Sequence, residues 1–332
     1  MKPSGLGSVD PGFAATVEGR LDSIEQRLLT ASEADTRLVT EAAQHIISAG
    51  GKRFRPMLVV LCAHLADAEG AAVDADRLEK AALVVELTHV ASLYHDDVMD
   101  DADLRRGAVA ANRRWQNSVA ILVGDYLFAR ASDTVAELGT DYVQTQARTF
   151  ARLVQGQIAE TVGPVPDADP IAHHLQVIAD KTGSLIATSA VFGGMVAGFD
   201  EETLEVLRDF GEEIGLVFQL HDDIIDITSD VTGKTPGTDL REGIPTLPTL
   251  LARAMDRPED ERLFALVDSD LESEEDLAEA VRLLREHPAI EEARTEVRRR
   301  ADAARARLQV LPAGPAREAL EALCDHVINR DD

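Results

Sequence analysis

Apolar residues return every three or four positions along most of the chain, and stretches that alternate apolar with polar are hard to find. That is the period of an α-helix, whereas a half-buried strand repeats at every second residue. The pattern predicts helices over about 12–31, 34–48, 55–67, 74–101, 109–138, 141–162, 169–198 and 201–227, with shorter ones near 246–256, 258–268, 274–286, 288–310 and 315–329. Breakers fall between them: AGGKRF at 49–54, GPVPDADP at 163–170, TGKTPGTDLREGIP at 232–245 and HP at 287–288. The expected fold class is all-α. No Ser/Gly linker or low-complexity tract divides the chain, so a single domain over residues 1–332 is the simplest organisation.

Two of these helices break a local rule. Those over 74–101 and 201–227 are apolar around much of their circumference, yet they carry acids near their C-terminal ends, LYHDDVMDD at 93–101 and LHDDIID at 220–226. A helix C-terminus bears partial negative charge, and crowded carboxylates repel each other, so the acids cost stability where they stand. Such conflicts point to function. Asp96 and Asp100 lie four apart, with Cβ atoms about 5–6 Å from each other, close enough to share one hard cation. Asp97 and Asp101 form the neighbouring edge. Asp222 and Asp226 repeat the relation, and Asp223 repeats Asp97. Oxygen donors without nearby Cys suit Mg²⁺ rather than zinc or copper. Mg²⁺ takes one or two protein carboxylates and completes its shell with water and phosphate oxygens. Two facing clusters could therefore hold several Mg²⁺ ions around a diphosphate.

The plain alternative for either cluster is a solvated acidic helix end, and recurrence of the same frame after VVELTHVASLY and IGLVFQL weighs against it. The His-Asp pairs at 95–96 and 221–222 also occur in metal phosphohydrolases. Those sites need further His ligands, for which His89, His173 and His174 are only loose candidates, so His95 and His221 read as supporting or packing residues. The segment DITSDVTGKTPGTD lacks the spacing of an EF-hand loop.

Composition narrows the partners. A net charge of -27 removes nucleic acid from consideration, because binding it needs a basic face. Only five of the 33 basic residues are Lys: Lys2, Lys52, Lys80, Lys181 and Lys234. Three of them fall in segments the acids already implicate. GGKRFRP at 50–56 brings three cations to a Gly-led helix start, where free N–H groups bind anions. LRRG places Arg105 and Arg106 directly after the first acids, KTGS puts Lys181 mid-helix among apolar residues, and Lys234 follows the second acids. Each alone reads as a turn or a snorkelling side chain; together they supply the countercharge of a diphosphate. Cys62 and Cys324 sit in apolar runs and read as small buried hydrophobes. No run approaches about 18 apolar residues, and MKPSGLGSVDPGF lacks a leader pattern, so a soluble cytoplasmic protein without stable membrane insertion is expected.

The motifs GGKRFRP, HDDVMDDADLRRG, GDYLFARA, KTGSL, FQLHDDIIDITSD and GKTPGTDLREGIPTLP stand in an order that resembles the trans-polyprenyl diphosphate synthases, over about residues 40–255. The resemblance implies an isoprenoid synthase helical bundle with two Asp-rich helices across a deep cavity, usually a homodimer. It implies isopentenyl diphosphate and an allylic diphosphate as substrates, with about three Mg²⁺ ions per active site. Carried over by motif, Asp96, Asp100 and Asp222 match the Mg²⁺ ligands, and Asp97, Asp223 and Asp226 complete the two acid motifs. Lys52, Arg55, His89 and Arg106 match the isopentenyl diphosphate site. Arg105, Lys181, Thr182, Gln219 and Lys234 match contacts to the allylic diphosphate. His89, two turns before Asp96, can share its face. The implied chemistry is ionisation of the allylic C–O bond, attack by the isopentenyl double bond and loss of a proton, with no side-chain nucleophile. Ile244 departs from the family, in which many relatives have Lys.

Chain growth is expected along the turns that precede Asp96. In the family, bulky aromatics four and five residues before the first Asp form a floor for short products; here those positions hold Ser92 and Ala91, with Thr88 a turn deeper. Each turn advances about 5.4 Å, comparable to one prenyl unit, and the missing floor favours a product of about C35–C45, of the kind used for a menaquinone or other quinone tail. A C20 geranylgeranyl product is the alternative. A non-catalytic regulatory subunit would have no need to keep both acid clusters, and a terpene cyclase would leave GGKRFRP and RRG unexplained.

Overall fold

The computed structural model describes residues 9–229, 236–271 and 273–330. It is helical nearly throughout. Pro11–Ala31 (α1), Arg37–Ser48 (α2), Phe54–Ala63 (α3) and Ala75–Met99 (α4) open the chain. Asp10 accepts a hydrogen bond from the Phe13 N–H ahead of Pro11, and Asp74 accepts from the N–H groups of Asp76 and Arg77, so α1 and α4 begin at capped ends.

The expected helix over 109–138 is corrected. Leu104–Arg105 (β1) pairs antiparallel with Ala108–Val109 (β2), and the tight turn between them places Arg106 and Gly107 at φ 53° and 76°. Ala111–Trp115 (α5) and Asn117–Ala136 (α6) follow, separated where Gln116 takes φ 71°. Thr140–Val162 (α7) leads to Pro170–Ile178 (α8), which starts at an Asp169 cap. The helix expected over 169–198 is interrupted: a π-helical turn at Ala179–Gly183 precedes Ser184–Ala197 (α9). Glu201–Thr228 (α10) is the longest helix among the described residues. Thr238–Arg241 (α11), Leu247–Ala254 (α12), Glu261–Val267 (α13), Glu274–Arg285 (α14), Ala289–Arg307 (α15) and Pro315–Asn329 (α16) complete the order.

The residues gather into two compact units. One comprises residues 1–151, 185–211 and 308–322, the other 152–184, 212–307 and 323–332. In the first, α4 lies along α6, with α1 and α3 also against α4. Leu87, Val90, Ala91 and Tyr94 share a core with Ala120, Val123 and Leu127. Gly124 allows the close approach of these two helices, since a Cβ there would lie 2.4 Å from the His95 Nε2. In the second unit α12 packs on α15 and α8, and α13 on α14. Its core joins Ile227, Leu240, Ala252, Leu263, Leu277 and Leu284. Among the described residues no helix is long and apolar enough to cross a membrane.

Candidate active site

The two acid clusters belong to different units, and each organises its own surroundings. In the first unit α4 carries Asp96, Asp97 and, at its C-cap, Asp100, whose N–H bonds the Asp96 carbonyl at 2.8 Å. Asp96 is half-buried and Asp100 exposed, while Asp97 is fully buried and points elsewhere. Its Oδ1 accepts from the Arg105 Nε at 2.6 Å, and its Oδ2 is enclosed without a hydrogen-bond partner. The 104–109 hairpin thus docks on α4 through the middle of the acid motif.

Cations line α4 from its middle to its C-terminal end. Gly50 and Gly51 adopt φ 94° and 157°, and Arg53 caps α3 in the left-handed region at φ 47°. Glycine is needed at 51, because a Cβ there would lie 2.9 Å from the Arg106 Cζ. Arg53 is buried and held by Glu25 at 2.6 Å and Glu86 at 2.9 Å. Burial works against its charge, but the two carboxylates outweigh that and hold the guanidinium above its ordinary value. Arg106 donates to the carbonyl of Gly50, and burial together with Arg53 and Arg105 pulls its value down. Arg55 has an enclosed Nε with no partner, and burial, followed by repulsion from Arg106, lowers it to about 10 despite the opposing pull of Glu86. Burial, then Arg55, Arg106, Arg53 and Arg105, push His89 well below the usual imidazole range. Lys52 is exposed beside this group. Four guanidiniums therefore act on one neutral histidine, two turns from Asp96.

Of the chain-length candidates, Thr88 is buried with its hydroxyl on the Val84 carbonyl, Ala91 is buried in the α4–α6 core, and Ser92 is half-buried. His95 packs on α6, its Nε2 3.1 Å from the Ile121 carbonyl, as a packing residue should.

In the second unit Asp222, Asp223 and Asp226 again divide their tasks. Asp223 is buried; its Oδ2 meets His174 Nε2 at 2.9 Å and the Leu247 N–H at 3.2 Å. Gln219 reaches its Oδ1 at 3.4 Å and itself takes a long 3.5 Å bond from Thr182 Oγ1. Asp226 accepts from the N–H groups of Thr238 and Asp239 at 3.2 and 3.3 Å, which ties α11 back to α10. Asp222 Oδ1 pairs with Arg330 at 2.6 Å. The Arg330 guanidinium lies 3.8 Å over the Phe218 ring and also donates to the Phe218 carbonyl, while its own carbonyl accepts from His221. Lys181 stands on the π-helical turn, 2.6 Å from Glu160. Lys234 lies outside the described residues.

Sequence reasoning counted Arg53 only as one of the three cations of GGKRFRP, missed Glu25, Glu86, Glu160 and Arg330, and took His174 only as a doubtful metal ligand. Glu86 alone left a signal, as an acid inside the apolar run VVELTHV. Among the described residues no three His, Cys, Asp or Glu side chains form a ready-made metal cage. The acids nonetheless fit Mg²⁺ by donor chemistry, since Asp96, Asp100 and Asp222 all offer hard carboxylate oxygens.

Comparison with known proteins adds independent findings. Residues 36–284 match the family model described as Polyprenyl synthetase. The chain is 43% identical to the nonaprenyl diphosphate synthase of Mycobacterium tuberculosis, over 98% of this chain and 97% of the relative. A crystal structure of a Caulobacter crescentus polyprenyl synthase, complexed with calcium and isoprenyl diphosphate, aligns with TM-score 0.87 at 34% identity, covering 96% of this chain and 97% of the other. A geranylgeranyl pyrophosphate synthase from Corynebacterium glutamicum, in complex with the same two ligands, aligns with TM-score 0.84 at 42% identity and the same coverage.

Proposed function

The chain belongs to the polyprenyl synthetase family, as a prenyltransferase of the long-chain polyprenyl diphosphate synthase type, and from that premise we propose which residues carry the reaction and how far it runs. Isopentenyl diphosphate binds Lys52, Arg55, His89 and Arg106; the observation that carries this reading is the set of guanidiniums around a neutral His89 beside the first acids. The allylic diphosphate is bound by Arg105, Lys181, Thr182, Gln219 and Lys234. Mg²⁺, held by Asp96, Asp100 and Asp222, would spread the charge of the departing diphosphate. The calcium in two related structures supports a divalent ion there.

The chain's own residues do the rest. Asp97, Asp223 and Asp226 keep the hairpin, α8, α12 and α11 in place around the ligands. The cations hold pyrophosphate as the C–O bond breaks, and exclusion of water protects the allylic cation from capture. The reaction runs in a cytoplasmic homodimer.

With no aromatic floor at Ser92 or Ala91, and turns of about 5.4 Å each comparable to a prenyl unit, the product is about C35–C45 and serves as a quinone side chain such as that of menaquinone. The likeness to a nonaprenyl diphosphate synthase supports the length; the 42% identity to a geranylgeranyl pyrophosphate synthase favours C20 as the second reading. Chromatography of products from farnesyl and isopentenyl diphosphates with Mg²⁺ tests both. The long-chain reading expects products beyond C30, shortened in Ser92→Phe and Ala91→Phe. A clean C20 endpoint from the unaltered chain would overturn it.

A further inference from the structure

Lys181 and Thr182 sit on the one π-helical turn among the described residues, Ala179–Gly183. The Ser184 N–H reaches back five residues to the Ala179 carbonyl, which inserts an extra residue into an otherwise α-helical run. Such a turn is less well bonded than an α-helix and persists where its surroundings hold it. Here they do so through Asp180. Its Oδ1 accepts from Arg152 Nε at 2.9 Å and its Oδ2 from Gln176 Nε2 at 2.8 Å. Its carbonyl accepts from Ser184 Oγ at 2.6 Å. Arg152 also pairs with Glu212 of α10, so one guanidinium on α7 bridges the π-turn and α10.

Backbone approach completes the clamp. Gly156 follows Arg152 by one helical turn, and a Cβ there would lie 2.7 Å from the Lys181 nitrogen and 3.0 Å from the Asp180 carbonyl carbon. Only a glycine lets α7 run this close, directly beneath the residue whose side chain must aim. The Arg152–Asp180 pair is half-buried and shares its guanidinium with Glu212, so it fixes the geometry of the turn as well as adding to stability. Rotating the turn by one residue would send Lys181 and Thr182 to other faces of the helix.

We infer that Arg152 and Asp180 are positioning residues: with Gly156 they lock the π-helical turn so that Lys181 and Thr182 meet the allylic diphosphate. This rests on the assignment of Lys181 and Thr182 to that substrate. Arg152→Met, Arg152→Lys, Asp180→Asn and the double variant Arg152→Met/Asp180→Asn are compared with Lys181→Ala. The readouts are kcat, KM for each substrate, calorimetric binding of farnesyl diphosphate with Mg²⁺, and melting temperature.

Arg152→Met and Asp180→Asn should each weaken farnesyl diphosphate, in KM and in direct binding, by about fivefold, and the double variant by no more than either alone, as for residues acting through one contact. KM for isopentenyl diphosphate should not move, and Arg152→Lys should restore most of the loss. If Lys181→Ala weakens farnesyl diphosphate while Arg152→Met and Asp180→Asn do not, the clamp has no positioning role. If Lys181→Ala itself leaves farnesyl diphosphate unchanged, the assignment of Lys181 is wrong and the inference falls with it. Equal losses for both substrates, or losses that follow melting temperature alone, would reduce the clamp to a structural contact.

Discussion

The two acid clusters are written in the same frame, yet the protein surrounds them in opposite ways. Around α4 the partners are charged: Arg105 holds Asp97, and burial, reinforced by Arg55, Arg106 and Arg53, keeps His89 neutral. Around the end of α10 the partners are mostly uncharged: an imidazole, an amide and three backbone N–H groups hold Asp223 and Asp226, and Arg330 alone among the described partners brings a guanidinium. The lesson concerns net charge. One cluster has fixed guanidiniums beside it, which suits a region that holds a cation and a diphosphate together. In the other, an imidazole, an amide and a backbone N–H hold the buried Asp223, while Asp222 is paired with Arg330.

Loss of activity should divide the outer acids from the inner ones. Asp96→Ala and Asp100→Ala are each expected to lower kcat on the order of 10²–10³-fold with little change in melting temperature, measured in a radiolabelled isopentenyl diphosphate assay. Losses in stability as large as those from the buried acids would erase the distinction between outer and inner acids.

The next largest effect should be on stability. Asp223→Ala removes the partner of His174 and of the Leu247 N–H from a buried position and should cost about 2–3 kcal/mol in urea unfolding. Asp97→Ala, whose partner Arg105 can turn to water, should cost about 1–2 kcal/mol. The reverse order would show that the charged cluster is the more tightly held.

A pH series tests the positive surroundings of His89. Its folded-state value is depressed, so the folded chain keeps it neutral while the unfolded chain binds a proton below about pH 6.5. The unfolded state then holds more protons, and stability falls as pH falls, by at most about 1.4 kcal/mol per pH unit from this group. Between pH 7.5 and 5.5, unaltered protein should therefore lose more stability than His89→Gln. Identical losses would mean that burial and the guanidiniums together do not hold this imidazole neutral.

The smallest effect concerns Arg330. Removing it in Arg330→Met frees Asp222 from its pair, and the half-saturating Mg²⁺ concentration should shift by about two- to fivefold, measured alongside Mn²⁺ binding by electron paramagnetic resonance. No shift in either would show that Asp222 is oriented by other contacts.

The repeated acid frame, the order of cation-bearing segments and the helical class could all be read from local pattern. The internal division of labour could not. Asp96 and Asp97 are neighbours in sequence, and only the docking of the 104–109 hairpin makes one half-exposed and the other buried. Gln116 broke an expected helix because its left-handed backbone is a tertiary choice with no glycine to announce it. The π-helical turn was hidden for a related reason: apolar periodicity continues on both sides of KTGS, and the extra residue is held by Arg152 from another helix. Arg330 is 108 positions from Asp222, a pairing that no local rule signals.

The loop from Gly50 to Arg53 has a kinetic consequence. Its unusual dihedrals are already set by the ties of Arg53 to Glu25 and Glu86 and of Arg106 to the Gly50 carbonyl. A segment fixed before its ligand arrives imposes no ordering step on association. Arrival is then governed by diffusion through the field of the molecule, in which a small basic region lies on a chain of net charge -27. The capture rate of isopentenyl diphosphate should therefore depend on ionic strength through two opposed fields, repulsion from the whole and attraction at short range. Their balance sets how quickly each elongation cycle can begin.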